Sequence, residues 1–205
     1  MKYVVTLYVG LMMFAYSALA QAIVPADVFV KSVADEVLTI IKKDKDIQNG
    51  DQAKIFALVE EKIVPNFNFD HVCKLVLGKN FSKATKDQQE AFEREFRTLL
   101  IRTYASALSK YRNQTIEYKP LREAIDDKQV VIKTFILQPG GQPLGVDYSV
   151  EQVGDAWKVY DITIEGVSLV TNYRGQFGTE IRHGGMDGLI QRIADKNQSN
   201  AAAKK

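Results

Sequence analysis

The sequence predicts an α+β domain, an antiparallel β-meander covered by helices, on three observations. Apolar residues recur at helical spacing up to about Tyr111. After Arg112 the period falls to two, and the runs become rich in Val, Ile, Phe and Tyr. Pro139-Gly140-Gly141 and Gly154-Asp155 then separate strand-like runs by connections too short for parallel crossovers.

Taken in order, Pro25 suits a first helical turn, and Phe29, Val33, Val37, Ile40 and Ile41 follow at helical spacing to Lys42-Lys43. Residues 44–50 are polar and turn-like. Asp51 caps a second helix with Ile55, Leu58, Val59 and Ile63 on its apolar face, stopped at Pro65. Phe67 and Phe69 bracket a connector to a short helix ending at Gly78. Thr85 and Gln88 form a capping box opening the longest helix, whose stripe runs from Phe92 through Phe96, Leu99 and Leu100 to Leu108. Strands are expected at residues 115–118, 129–137, 144–151 and 156–164. Gly166 ends the last of them, Ser168 caps a helical region through Tyr173 and Phe177, and residues 187–194 make a last short helix. The segment 197–205 reads as a flexible polar tail. A domain spanning residues 21–196 is expected, and composition does not decide whether its sheet closes on a packed core or leaves a cone-shaped cavity.

Residues 1–20 read as an export leader. Lys2 is the charged start, residues 4–14 the apolar run, and Ala18-Leu19-Ala20 a small-x-small cleavage site, with Ala22 offering a second. The apolar run is short for a membrane span, which needs ~20 residues. Removing the leader takes away one positive charge from the 27 Lys plus Arg that face 25 Asp plus Glu, so the surface has little pull toward nucleic acid. One cysteine and two histidines exclude a disulfide framework and a Cys/His zinc cluster. Cys73 reads as a buried, inert thiol.

Familiar catalytic sets are hard to assemble. The serine context Glu165-Gly166-Val167-Ser168-Leu169-Val170 lacks the second glycine of a nucleophile elbow. Gly184, Gly185 and Gly188 form no phosphate-binding loop. One enzymatic arrangement survives: Asp147 or Asp161, on neighbouring strands, acting as a general base on an apolar substrate within a cone-shaped fold. Asp147 alternates with the apolar residues of its strand, which places it on their opposite face. What is abundant instead is aromatic and aliphatic surface around the sheet: Tyr104, Leu108, Tyr148, Tyr160, Tyr173 and Phe177. A solid-core partner-binding adaptor is the third reading.

Several segments resemble one family. Ile63-Val64-Pro65 precedes Phe67-Asn68-Phe69-Asp70, and Leu77-Gly78 precedes Ala84-Thr85. Tyr104-Ala105-Ser106-Ala107-Leu108 ends the long helix. Val146-Asp147-Tyr148 and Trp157-Lys158-Val159-Tyr160-Asp161 lie in the strands. The run from Glu165 to Phe177 is the most specific, and Gly185-Met186-Asp187-Gly188-Leu189 closes the pattern. Together they resemble the MlaC family of periplasmic phospholipid-binding, toluene-tolerance proteins, from about Pro25 to Ile193. Asn68 stands where an aspartate is common, and Cys73 is unexpected in an exported chain.

The resemblance implies a periplasmic shuttle without catalysis or cofactor, its cargo a bound phospholipid. Its partners would be an inner-membrane ABC transporter with an MCE-domain subunit and an outer-membrane lipoprotein–porin complex, and its role the maintenance of outer-membrane lipid asymmetry. The fold expected is then a meander and helices enclosing a cone-like apolar cavity, NTF2-like in character. Two ~16-carbon tails carry about 30 methylenes, whose exposure to water costs on the order of 20 kcal/mol. Sheltering them calls for a cavity near the upper end of the usual range, ~1,000 Å³. The tails are expected between a concave sheet face of Ile132, Ile136, Val146, Tyr148, Tyr160 and Ile162 and a cover of Tyr104, Leu108, Val167, Leu169, Val170 and Tyr173. Arg174 and Arg102 are candidates for a phosphate contact at the mouth, with solvation or ion pairing as the open alternative.

Overall fold

The computed structural model describes residues 23–121, 124–126 and 128–202, with side chains throughout except at 124–126 and 200–202. The leader and its cleavage positions lie outside the described residues.

Helix α1 (Ala26–Lys43) begins after Pro25 and buries Val30, Val37 and Ile41. The polar stretch after it contains a helical turn, α2 (Lys45–Gln48), because Asp44 caps the amides of Asp46 and Ile47 and the Ile47 side chain is buried. Asp51 caps α3 (Gln52–Leu58) through the Lys54 amide. The chain then widens into a π turn at Val59–Ile63 and tightens at Val64–Asn66, where Pro65 removes a backbone donor. Helix α4 (Phe69–Leu77) is followed by α5 (Lys86–Tyr104), which opens on the Thr85–Gln88 capping box and narrows to a 3₁₀ segment at Ala105–Lys110.

The sheet comprises β1 (Thr115–Tyr118), β2 (Ala124–Asp126), β3 (Gln129–Leu137), β4 (Leu144–Val153), β5 (Ala156–Ile164) and β6 (Val167–Ser168). All pairings between them are antiparallel, in the order β1-β3-β4-β5-β6, with β2 also on β3. Register places Ile132 opposite Tyr148, Ile136 opposite Leu144, and Tyr148 opposite Ile162, so these residues share one face. A bulge interrupts β5: Ser149 pairs with Asp161 but Val150 pairs with Val159, leaving Tyr160 as the extra residue.

The last helical region, α6 (Leu169–Ala202), is broken at Gly185, where φ is 67°, into two helices as expected, the second longer than the residues 187–194 expected of it. It also corrects the tail. Residues 197–202 continue the helix, because Asn197, one turn beyond the buried Ile193, is drawn into the core and donates to the Glu95 carbonyl and carboxylate at 3.0 and 2.8 Å.

The most specific sequence run is an architectural corner. Glu165 and Gly166 both take positive φ, 48° and 79°, as a two-residue hairpin turn between β5 and β6 requires. The strained Glu165 is tied to Gly145 of β4, accepting from its amide through the carboxylate and donating its own amide to the carbonyl. Ser168 then caps α6 by accepting from the Thr171 amide at 3.0 Å, and Asp161 accepts from the Val170 amide and the Ser168 hydroxyl. Tyr173 and Phe177 continue into an aromatic cluster with Phe92 and Phe96 at centroid separations of 5.0 to 5.6 Å.

Helix α4 is docked to the sheet by polar contacts. Glu151 Oε1 lies 2.7 Å from His71 Nδ1 and accepts from the Asn68 carboxamide at 2.8 Å, while Asn68 Oδ1 caps the helix at the His71 amide. An amide at position 68 is what this geometry needs, since an aspartate would face the Glu151 carboxylate. Cys73, inside α4, is 1% exposed, and burial pushes its thiol pKa well above the ordinary value.

Candidate functional site

Three groups of buried side chains make the core, and they do not fill it completely. One joins α4, α5 and α6. A second ties the end of α1 to α2, α3 and the close of α5. The third packs the start of α1 on the sheet through Ala26, Val30, Val130, Ile132, Val150 and Val159. Where the second and third fail to meet, a cavity of about 320 Å³ lies between α1 and the sheet.

Helix α1 supplies the largest share of its wall, through Phe29, Val30, Val33, Ala34, Val37 and Leu38. The sheet contributes Ile116, Ile136, Tyr148, Val159 and Ile162. The 3₁₀ segment after α5 adds Ala107 and Leu108, and Ile63, Asn66, Phe67 and Tyr111 complete the enclosure. Asn66 spends its amide on the Lys62 carbonyl at 2.8 Å, so it offers the interior little polarity. Burial pushes the Tyr148 phenol up to about 12, leaving a neutral hydroxyl in the wall at ordinary pH. Such a lining has no group to transfer a proton and no charge to hold an ion. It suits flexible hydrocarbon.

A second apolar space adjoins the first. Phe67, Phe69, Val72, Val76, Phe96, Leu100, Tyr160, Ile162, Leu169 and Val170, together with Asp161, border a crevice of about 30 Å³. Phe67 and Ile162 line both spaces and so form the partition between them. The backbone of Phe67 is fixed there by a bridge to Val159, and the Asn68 amide donates to the Val159 carbonyl at 2.9 Å.

The structure separates the residues that the sequence groups together. Leu108, Ile136, Tyr148 and Ile162 line the cavity. Ile132 and Val146 lie on the same sheet face but are packed, at 1% and 6% exposure. Tyr160 does not belong to that face: the bulge turns it toward α4, where it stacks on His71 at 5.0 Å and borders the crevice. Leu169 and Val170 also border the crevice rather than the cavity. Tyr104 and Tyr173 pack among α4, α5 and α6. Val167 is 56% exposed on β6 and lines neither space. Arg174 lies against Gly78, away from both spaces.

The sequence reading missed α1 as the main wall. The signal was present: Phe29, Val30, Val33, Ala34, Val37, Leu38, Ile40 and Ile41 span a wider apolar arc than a helix packed on one neighbour requires. The cavity is also smaller than the ~1,000 Å³ expected for two whole chains. Its walls are long aliphatic and aromatic side chains that lean into the space between the two clusters.

The candidate bases stand outside this chemistry. Asp147 pairs across the sheet with Lys133, in the alternation opposite to Tyr148 and Ile132. Asp161 is committed to the cap of α6. Among the described residues there is no cluster of three or more His, Cys, Asp or Glu side chains able to hold a metal, and no helix long and apolar enough to cross a membrane.

Residues 31–195 match the family model described as MlaC protein. The chain is 27% identical over 164 residues to toluene tolerance protein ttg2D of Pseudomonas putida, covering 80% of this chain and 75% of that one. It is 26% identical over 169 residues to the intermembrane phospholipid transport system binding protein MlaC of Haemophilus influenzae, covering 81% and 79%. Among solved structures, a phospholipid-binding protein from Ralstonia solanacearum in complex with a phospholipid superposes with a TM-score of 0.82 at 42% identity, over 87% of this chain and 99% of that one.

Proposed function

The chain belongs to the MlaC family, and on that premise we propose that it is a phospholipid-binding transport protein that shelters acyl chains beneath α1. The observation that carries the reading is the cavity itself: an apolar space with a neutral lining, in a fold shared with a protein solved with phospholipid. Taking ~30 Å³ per small group, the share one water has in the liquid, the cavity as it stands holds about ten methylenes. At ~0.8 kcal/mol each, keeping them dry contributes about 8 kcal/mol. The rest of two chains is accommodated by displacement of the soft walls, with the crevice beyond Phe67 and Ile162 as the adjoining space to open.

The intermembrane transport named for the Haemophilus relative supports a shuttle that moves glycerophospholipid between the two membranes of the envelope. In this reading the chain works in the periplasm, exported by residues 1–20. It exchanges lipid with an inner-membrane ABC transporter carrying an MCE-domain subunit and with an outer-membrane lipoprotein–porin complex, maintaining outer-membrane lipid asymmetry. The side chains hold cargo and do no chemistry on it, and no cofactor enters.

Organic extraction and mass spectrometry of protein purified without detergent test the reading. About one phospholipid per folded chain is expected. Folded protein that carries none, and takes none up from phospholipid vesicles, would overturn it.

A further inference from the structure

The apolar cavity adjoins a polar recess of about 420 Å³, and Leu38, Tyr111 and Ile116 line both. The other side chains of that recess are of a different kind. Lys31 stands 5.3 Å from the Tyr118 ring centre and is paired with Asp35 at 2.7 Å. Lys42 stands 5.7 Å from the Tyr111 ring centre and has no carboxylate partner among the described residues. Tyr111 gives its hydroxyl hydrogen to the Gln114 carbonyl. The Tyr118 oxygen is buried and has no hydrogen-bond partner among the described residues.

A buried hydroxyl without a partner costs about 1–3 kcal/mol, so an acceptor brought to Tyr118 recovers that energy as binding. The hydroxyl stays protonated, because burial, the neighbouring Tyr148 and Asp35 all raise its pKa. Charge points to the same ligand. Two lysines against one aspartate leave the recess with a single positive charge, and Lys42 carries it. The recess thus sets a tyrosine hydroxyl and an unpaired ammonium next to an apolar cavity. A glycerophospholipid likewise sets a phosphodiester next to its acyl chains.

We infer that this recess is the phosphate subsite, in which the Tyr118 hydroxyl and the Lys42 ammonium contact the non-bridging oxygens of a lipid phosphodiester. The inference rests on the cavity being the acyl-chain site. It moves the phosphate contact from Arg174 and Arg102 to α1 and β1. The selectivity it confers is for one negative charge at the glycerol end, with the remainder of the headgroup left in solvent.

The test is competition, read by native mass spectrometry, between dipalmitoylphosphatidylglycerol and dipalmitoylglycerol, which differ only beyond the glycerol oxygen. Wild type is expected to prefer the phospholipid by about tenfold or more, the scale of a hydrogen bond to a charged group. Tyr118→Phe keeps the ring and Lys42→Gln lies on an exposed turn, so both fold. Each should cut the preference severalfold, and the pair should abolish it, with retention of dipalmitoylglycerol unchanged. Equal occupancy of the two lipids in wild type, or full preference in the double variant, would overturn the subsite while leaving the cavity reading intact. Failure to hold either lipid would overturn the cavity reading, and the subsite with it. Inorganic phosphate at millimolar concentration should leave the preference unchanged; if it erases the preference, the recess is a free-anion site and the lipid assignment fails.

Discussion

Ala34 is the position where the cavity reading is most exposed to test. It lies on α1 against the cavity, and leucine there adds three carbons to the space without changing charge. Of about ten methylene places, three are taken, and at ~0.8 kcal/mol each the bound lipid loses about 2.4 kcal/mol. That weakens binding roughly 60-fold. The same substitution should leave the fold intact or firmer, since leucine is close to alanine in helix propensity and fills a void. Ala34→Leu is therefore expected to lower lipid retention and, after delipidation of both proteins, to leave the melting temperature equal or raised. Retention is read by extraction and mass spectrometry, and affinity by displacement of a fluorescent phospholipid. Affinity within threefold of wild type, in a folded variant, would refute the placement of the chains under α1. A fall in both affinity and melting temperature would instead mean that the wall is solid at Ala34.

The remaining expectations concern the partition, the polar dock of α4 and the buried phenols. Phe67→Ala joins the cavity to the crevice and should shift the bound lipids toward longer chains, at about 2–3 kcal/mol in stability for a half-buried ring; an unchanged chain-length distribution counts against the partition. Asn68→Asp sets a carboxylate where an amide now donates to Glu151 at 2.8 Å, and should cost about 1–3 kcal/mol at neutral pH, read as a lower melting temperature. Tyr148 has a folded pKa of about 12 against ~10 unfolded, so its contribution to stability is whole below pH ~10 and disappears as pH rises through 12. Tyr148→Phe should flatten that part of the alkaline unfolding curve, and an unaltered curve would show that the phenol is not buried.

The strand segments were legible because each carries its own period and its own turn. Leu144, Val146, Tyr148 and Val150 alternate cleanly, and Gly154-Asp155 leaves little choice of connection. The capping box at Thr85 and the stop at Pro65 act over a few residues and can be read locally. Three features could not be read that way. The bulge that removes Tyr160 from the concave face comes from pairing with β4, and nothing in the local alternation of β5 marks it. Residues 197–202 look like a tail because Asn197 is polar, and its partner, Glu95, is 102 positions away. The role of α1 was half legible: its wide apolar arc marks a helix with more than one apolar neighbour, but such a face gives the same pattern whether it packs on side chains or leaves a gap. The Glu165–Phe177 run shows the converse. It is distinctive because a strained turn, a cap and an aromatic cluster each restrict it, and those restrictions serve the fold and not the cavity wall.

Release sets as strict a condition on this cavity as binding does. Two palmitoyl chains wholly removed from water are worth on the order of 20 kcal/mol, which is where non-covalent affinity reaches its ceiling. A donor or acceptor bilayer offers the same chains nearly the same shelter, so the carrier has only to match hydrocarbon, and any surplus would prevent delivery. A rigid cavity shaped to both chains would hold them with such a surplus. The observed walls work differently. About 320 Å³ stands open between α1 and the sheet, and further room requires displacing Phe67, Ile162 and their neighbours from contacts they already make. Each methylene beyond the first ten thus gains shelter at the expense of protein packing, and the net grip rises more slowly than chain length. A single positive charge in the adjoining recess would fit the same balance, since it would orient a phosphodiester without clamping it. This account requires the affinity for dipalmitoylphosphatidylglycerol to exceed that for its dioctanoyl analogue by far less than the ~0.8 kcal/mol per methylene of free transfer. Titration of the delipidated protein with the homologous series gives that slope, and a slope at the full transfer value would mean the cavity opens without cost and the partition resists nothing.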